Sequence, residues 1–311
     1  MRTMMKFFSK HIAFLGLLVW SSFFWDQANA EPQITQITTI APQSSTDASH
    51  FYFTDLLKLV LKDTETEFGP FELHDFKEPM SPARALEQLE SGKAIQVYWT
   101  GTNIERESKL LAVKIPLAKG LLGYRVPVIR RDDLERWKQI DTLAELQQMR
   151  ACQVSNWPDS DILEAAKIPV ERVSVFKRIY SMLAGKRCDF SPRGINEVFA
   201  EVNSIQAEFP DLIAFPDLII YYPFPLYFFV APNHPEIAKR LEKGLTHLIN
   251  TGEFEKFLVN HPVTAQVFPL TKWKNSRLIL INNPLLPKTA EPTNQKLWVI
   301  PDQFSRLQSS Q

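Results

Sequence analysis

The sequence predicts an α/β protein of two lobes, each a mostly parallel sheet flanked by helices, with a cleft between them. Three observations carry this reading. Apolar strand-like runs alternate with amphipathic helices along most of the chain. Several of those runs are apolar on both faces, as in a covered parallel sheet. The alternation also runs through two successive series, after which the chain returns.

The first series opens with spaced Ile residues from Gln33 to Ile40, read as a strand. Phe53, Leu56, Leu57, Val60 and Leu61 then recur at helical spacing on one stripe, and Gly69-Pro70 ends that helix. Phe71 to Phe76 alternates like a strand. Ser81 can cap the next helix, with Pro82 at its first position and Gly92 past its end. Ala94 to Trp99, Ala112 to Leu117 and Tyr124 to Ile129 read as further strands.

The second series follows a short helix that begins at Asp141. Ala151 to Ser155 is a strand, and Asp159 or Ser160 can cap a helix running to Lys167. Val173 to Phe176 and Cys188 to Ser191 are strands, and the helices Ile179 to Ala184 and Ile195 to Ala207 follow them. The segment Tyr221-Tyr222-Pro223-Phe224 reads as a crossing between lobes. Leu226 to Val230 is a strand, Pro235 to Thr251 a long helix closed by Gly252, and a short helix reaches Asn260. The tail from Pro269 carries Trp273 and Trp298 and reads as an ordered strap over the surface.

The expected organisation is a leader over residues 1–30, a first lobe from 31–123 that resumes over 223–268, a second lobe from 124–222, and the strap from 269–311. The leader has a basic start in Arg2, Lys6 and Lys10 and an apolar run of about fourteen residues from Ile12 to Trp25. Ala28-Asn29-Ala30 places small residues as signal peptidase requires, so the mature chain is expected to start at Glu31, in the periplasm. The run is short for a membrane span, and no Cys near the cleavage site offers a lipid anchor.

The chain holds 35 cations and 35 acids; the leader removes three and one, which leaves 32 against 34, a charge of −2. That balance argues against a nucleic-acid partner, which would need a basic face. Cys152 and Cys188 are an even pair in an oxidising compartment and read first as a disulfide, the alternative being two buried thiols on neighbouring strands.

A search for reaction chemistry finds little. The six His form no metal-ligand spacing, and there is no nucleophile elbow, phosphate loop or dinucleotide fingerprint. No metal, no cofactor and no catalytic residue is expected. Ligands of such folds lie outside the carboxyl ends of the strands, and there the sequence offers binding residues. Tyr98 and Trp99 suit a ligand wall or a packed aromatic corner. Arg106 can grip a carboxylate with its planar fork, or pair with a neighbouring Glu. Trp157 and Asp159 open a helix after one strand, and Arg193 follows another as an anion contact or a lobe-to-lobe clamp. Tyr222 can line the cleft or stiffen the crossing.

In the order and spacing of Leu89-Glu90-Ser91-Gly92-Lys93, Thr102-x-x-Glu105-Arg106, Thr142-Leu143-x-x-Leu146, Gly185-Lys186-Arg187-Cys188-Asp189 and Gly244-Leu245 to Gly252-Glu253-Phe254, the chain resembles the type-II periplasmic solute-binding proteins of the polar-amino-acid group. The resemblance spans about Ile34 to Pro262. It implies hinge closure on a small solute, held by Arg106 through its carboxylate with Thr102 in the same motif, by a monomer that delivers the solute to an inner-membrane permease of an ABC transporter. Two departures mark a divergent branch. Asn156-Trp157-Pro158-Asp159 stands where the family has Gly-Thr, and Pro192-Arg193-Gly194 stands where it has an amine-binding Asp. An Arg cannot partner an ammonium, so an anionic or aromatic solute is expected as readily as an amino acid, within the wider class of small polar or anionic solutes. The alternatives are a sensing or docking module that serves no transporter, and a dehydratase-type enzyme that uses Asp159.

Overall fold

The computed structural model describes residues 34–42, 48–155 and 157–305. The expected leader, its cleavage site and Asn156 lie outside the described residues. In chain order the first elements are β1 (Thr35–Thr39), α1 (Ala48–Asp63), α2 (Glu65–Phe68), β2 (Phe71–Asp75), α3 (Pro82–Ser91), β3 (Val97–Gly101), α4 (Ile104–Lys109) and β4 (Leu111–Val113). Then come β5 (Tyr124–Arg130), α5 (Leu134–Trp137), α6 (Leu143–Leu146), β6 (Ala151–Val154), α7 (Pro158–Ala165), β7 (Val170–Val173), α8 (Arg178–Ala184), β8 (Phe190–Gly194), α9 (Val198–Ile205), β9 (Leu212–Ala214) and β10 (Leu218–Tyr221). The chain returns through β11 (Leu226–Val230), α10 (Pro235–Thr251) and α11 (Glu253–Asn260), and ends with β12 (Arg277–Leu280) and α12 (Asp302–Ser305).

The first lobe holds β1 and β2 as a parallel pair and β11 between β3 and β4, antiparallel to both. The two groups meet where the Gln96 amide donates to the Thr38 carbonyl and the Thr39 hydroxyl donates to the Val97 carbonyl, at 2.9 and 2.8 Å. The second lobe is one sheet in the order β12-β10-β5-β8-β6-β7, with β9 also on β5. Strands β6, β7 and β8 are mutually parallel, and so are β10 and β12. Strand β5 runs antiparallel to its neighbours because it enters from the other lobe. All the parallel strands therefore turn their carboxyl ends, and β5 its amino end, toward the crossings.

Local signals behave as their chemistry demands. Ser81 caps α3 by accepting from the Arg84 amide, Pro82 sits at its first position, and Gly92 ends it at φ +65°. The α1 stripe Phe53, Leu56, Leu57, Val60 and Leu61 is buried against Leu241, Leu245 and Leu248 of α10. Gly244 permits that approach, since a Cβ there would lie 2.7 Å from the Val60 side chain. Arg240 of α10, fully buried, donates to the Leu61 and Gly69 carbonyls and to the Thr64 hydroxyl at the end of α1, where free carbonyls need partners.

Several boundaries differ from expectation. β7 begins at Val170 rather than Val173, and β8 spans Phe190–Gly194 rather than starting at Cys188. Neither Asp159 nor Ser160 caps α7: Trp157 takes the cap position without a side-chain bond, and both residues lie inside the helix. Their polar atoms are engaged elsewhere, Ser160 by the Val154 carbonyl and Asp159 by two residues described below. The tail is more than a strap, because Arg277–Leu280 pairs with β10 as an edge strand. Cys152 and Cys188 are disulfide-bonded, tying β6 to the entry of β8 at a Cα separation of 5.6 Å.

Candidate functional site

Two groups of the expected residues come together, one on each lobe. On the first lobe, β3 ends at Gly101, and Asn103 caps α4 by accepting from the Arg106 amide at 2.8 Å. That cap turns the Arg106 side chain back over the strand end. Its Nη1 donates to the Thr100 hydroxyl at 3.3 Å and to the Gly101 carbonyl. No carboxylate among the described residues lies within ion-pair distance of it. Glu105 pairs instead with Lys109, and Glu107 with Lys114, both at 2.8 Å. Burial works against the charged form of Arg106 and lowers its pKa, while Tyr98 and Glu105 oppose the shift. A guanidinium stays charged through such a shift.

Tyr98 lies beside Arg106, and burial pushes its phenol up to about 12. Thr102 is buried and donates to Glu107 at 2.7 Å, so it braces α4. Trp99 faces the other side of the sheet, among Phe53 and His50, and forms a packed aromatic corner.

The second lobe gathers Trp157, Asp159, Arg193 and Tyr222 at its strand ends. Asp159, 4 % exposed, receives Arg125 at 2.5 Å and the Tyr222 hydroxyl on the same oxygen. Arg125 also lies 5.4 and 5.3 Å from the ring centres of Tyr222 and Phe224. Arg193 donates twice to Glu201, at 2.6 and 2.7 Å, and once to Glu197 at 3.1 Å. Its guanidinium also lies about 5 Å from the rings of Trp157 and Phe176. The hydroxyl of Tyr180 donates to Glu201 at 3.0 Å.

The two carboxylates on Arg193 differ. Burial raises the pKa of Glu197 and outweighs the opposing attraction of Arg193, and the smaller repulsion of Glu201 adds to the rise. Burial also opposes ionised Glu201, but its paired bonds from Arg193 and the bond from Tyr180 outweigh that and hold its pKa low. Arg193 itself is raised: burial opposes its charge, and Glu201 and then Glu197 more than compensate. Its charge is thus engaged within its own lobe rather than offered across the cleft.

Arg125, Glu197 and Glu201 escaped the sequence reading. Arg125 sits in a run that reads as a plain buried strand, and the two Glu lie one turn apart on a helix, a spacing typical of a solvated face. Only the register, which sets Arg125 opposite Gly194 and Val126 opposite Arg193, brings them together.

No protein-family model matches the chain, and no curated relative matches it. Solved structures do match in shape. An ancestral arginine-binding protein bound to arginine superposes with a TM-score of 0.52 at 16 % identity, over 74 % of this chain and 98 % of that one. A protein of glutathione import by way of the cystine ABC importer in Streptococcus mutans gives 0.52 at 15 %, over 74 % and 95 %. The chain has the fold of the type-II periplasmic solute-binding proteins. A histidine kinase sensor domain with similarity to periplasmic binding proteins shares it, with a TM-score of 0.51 at 13 % identity over 74 % and 96 %. At these identities the likeness establishes the fold alone.

Proposed function

We propose that this chain is a periplasmic binding protein for a small solute that carries a carboxylate or another planar anion, gripped by Arg106 at the end of β3. One observation carries the reading. Arg106 is half-buried and, among the described residues, its side chain bonds a hydroxyl and a carbonyl and no carboxylate lies within ion-pair distance to balance its charge. A desolvated cation of this kind is stabilised by an incoming anion, each charge-assisted bond contributing about 1.5–3 kcal/mol. In this reading the first lobe comprises 31–123 and 223–268, and the second 124–222. Delivery to an inner-membrane permease is the downstream step.

Calorimetry after a thermal-shift screen of carboxylates and amino acids tests this. A hit should bind the wild type and lose at least tenfold in affinity to Arg106→Ala, which should unfold near the wild-type temperature. Equal affinity of the two proteins sinks the assignment.

A second reading, a sensing or docking module that serves no transporter, is favoured by the second lobe, where Arg125, Asp159, Arg193, Glu197 and Glu201 are engaged with one another. A folded protein that no small solute stabilises would favour it. A dehydratase role for Asp159 has less support, since one oxygen already accepts from both Arg125 and Tyr222.

A further inference from the structure

Besides 261–276, which lead out to β12, two segments carry the chain between the lobes: Leu121–Tyr124 outward and Tyr222–Leu226 back. They lie against each other, the Tyr222 amide donating to the Gly123 carbonyl at 3.2 Å. Any change of angle between the lobes must be absorbed by backbone rotation here and in 261–276.

Residues 281–299 run along both crossings. The Ile281 amide donates to the Tyr221 carbonyl at 2.9 Å, and the Asn283 side chain donates to the Pro223 carbonyl at 2.8 Å. The Val299 amide donates to the Lys119 carbonyl at 2.9 Å, and its carbonyl accepts from the Tyr124 hydroxyl at 2.8 Å. The Trp298 ring, fully buried, covers Gly120 so closely that a Cβ there would lie 2.3 Å from it. Between these anchors, Lys114 of the first lobe donates to the Thr289 hydroxyl at 3.1 Å, while β12 is a strand of the second lobe's sheet. The same stretch is thus bonded to one lobe, to both crossings and to the other lobe.

We infer that residues 277–299 are a hinge strap that fixes the angle between the lobes. A carbonyl that already accepts a bond from the strap cannot rotate without breaking it. Tyr221, Pro223 and Lys119 are all held this way. The inference is independent of whether the cleft takes a solute.

Spin labels on Lys58→Cys in the first lobe and Glu135→Cys in the second, both exposed, report the interlobe distance. The intact protein should give one narrow distance. Two variants release the strap: a protease site in the exposed stretch 291–296, cut after folding, and Asn283→Ala combined with Lys114→Ala, which leaves the core untouched. Cooperative urea unfolding confirms that each is folded. Either release should broaden the distance distribution or add a second distance. Two distances in the intact protein, or an unchanged single distance in both folded variants, overturns the inference.

Discussion

Changing each of two neighbouring glutamates to glutamine should give unequal results, although both contact Arg193. Glu201 accepts two bonds from the guanidinium, at 2.6 and 2.7 Å, and one from Tyr180 at 3.0 Å. Glu201→Gln keeps one acceptor oxygen, loses one charge-assisted bond outright and weakens another. At about 1.5–3 kcal/mol per such bond, the expected loss is about 2–3 kcal/mol. Glu197 accepts a single bond at 3.1 Å and is ionised against burial and against Glu201. Glu197→Gln keeps that acceptor and removes the repulsion, so it should fall within about 1 kcal/mol of the wild type. The signs with pH follow. Glu197 has a raised pKa in the folded state, so its stabilising contribution is present at low pH and lost as pH rises through that value. Glu201 has a lowered pKa, so its contribution is present above the ordinary value of 4.5 and lost as pH falls through the folded one. The wild type should therefore lose ground to Glu197→Gln as pH rises above about 4.5. Urea titration followed by tryptophan fluorescence is a suitable assay, because Trp157 lies against Arg193. At pH 8 the Glu201→Gln midpoint should drop by about 1 M. Equal losses for the two variants, or a larger loss for Glu197→Gln, would refute the reasoning.

Other perturbations have equally definite outcomes. Replacing Cys152 and Cys188 with Ala removes a bridge spanning 36 residues and should cost about 4 kcal/mol by chain entropy, read as a lower urea midpoint that reductant no longer changes. Trp298→Ala empties a fully buried site and should cost about 3–5 kcal/mol in the same titration. Arg172→Ala breaks pairs with Asp161 and Glu164 on the surface and should cost under about 1 kcal/mol, declining further with added salt.

Legibility in the sequence followed the range of the interaction. Helix α10 and strand β11 have the bounds their residues announce, because Pro235, Gly252 and an unbroken apolar run act locally. The α3 cap is legible for the same reason. β9, β10 and β12 were missed: they are three or four residues long, and their pairing with β5 or with one another lies far along the chain. At the candidate site, the sequence singles out Arg106 because its motif is contiguous. The partners of Arg193 and Asp159 were not legible, since a helical Glu or a strand Arg looks the same whether it faces solvent or a buried counter-charge.

The interleaving of the two lobes along the chain has a consequence for how the protein is assembled. The first lobe's strands lie at 35–113 and 226–230, and the second lobe's at 124–221 and 277–280. Neither lobe is one continuous piece of chain, and the outermost strand beside β10 is supplied from beyond the return. A chain that stops before residue 277 leaves the β10 edge bare, and an uncovered strand edge is a template for pairing with another chain. Shortened forms should therefore self-associate before they unfold, so the last strand serves as the seal on an otherwise sticky edge.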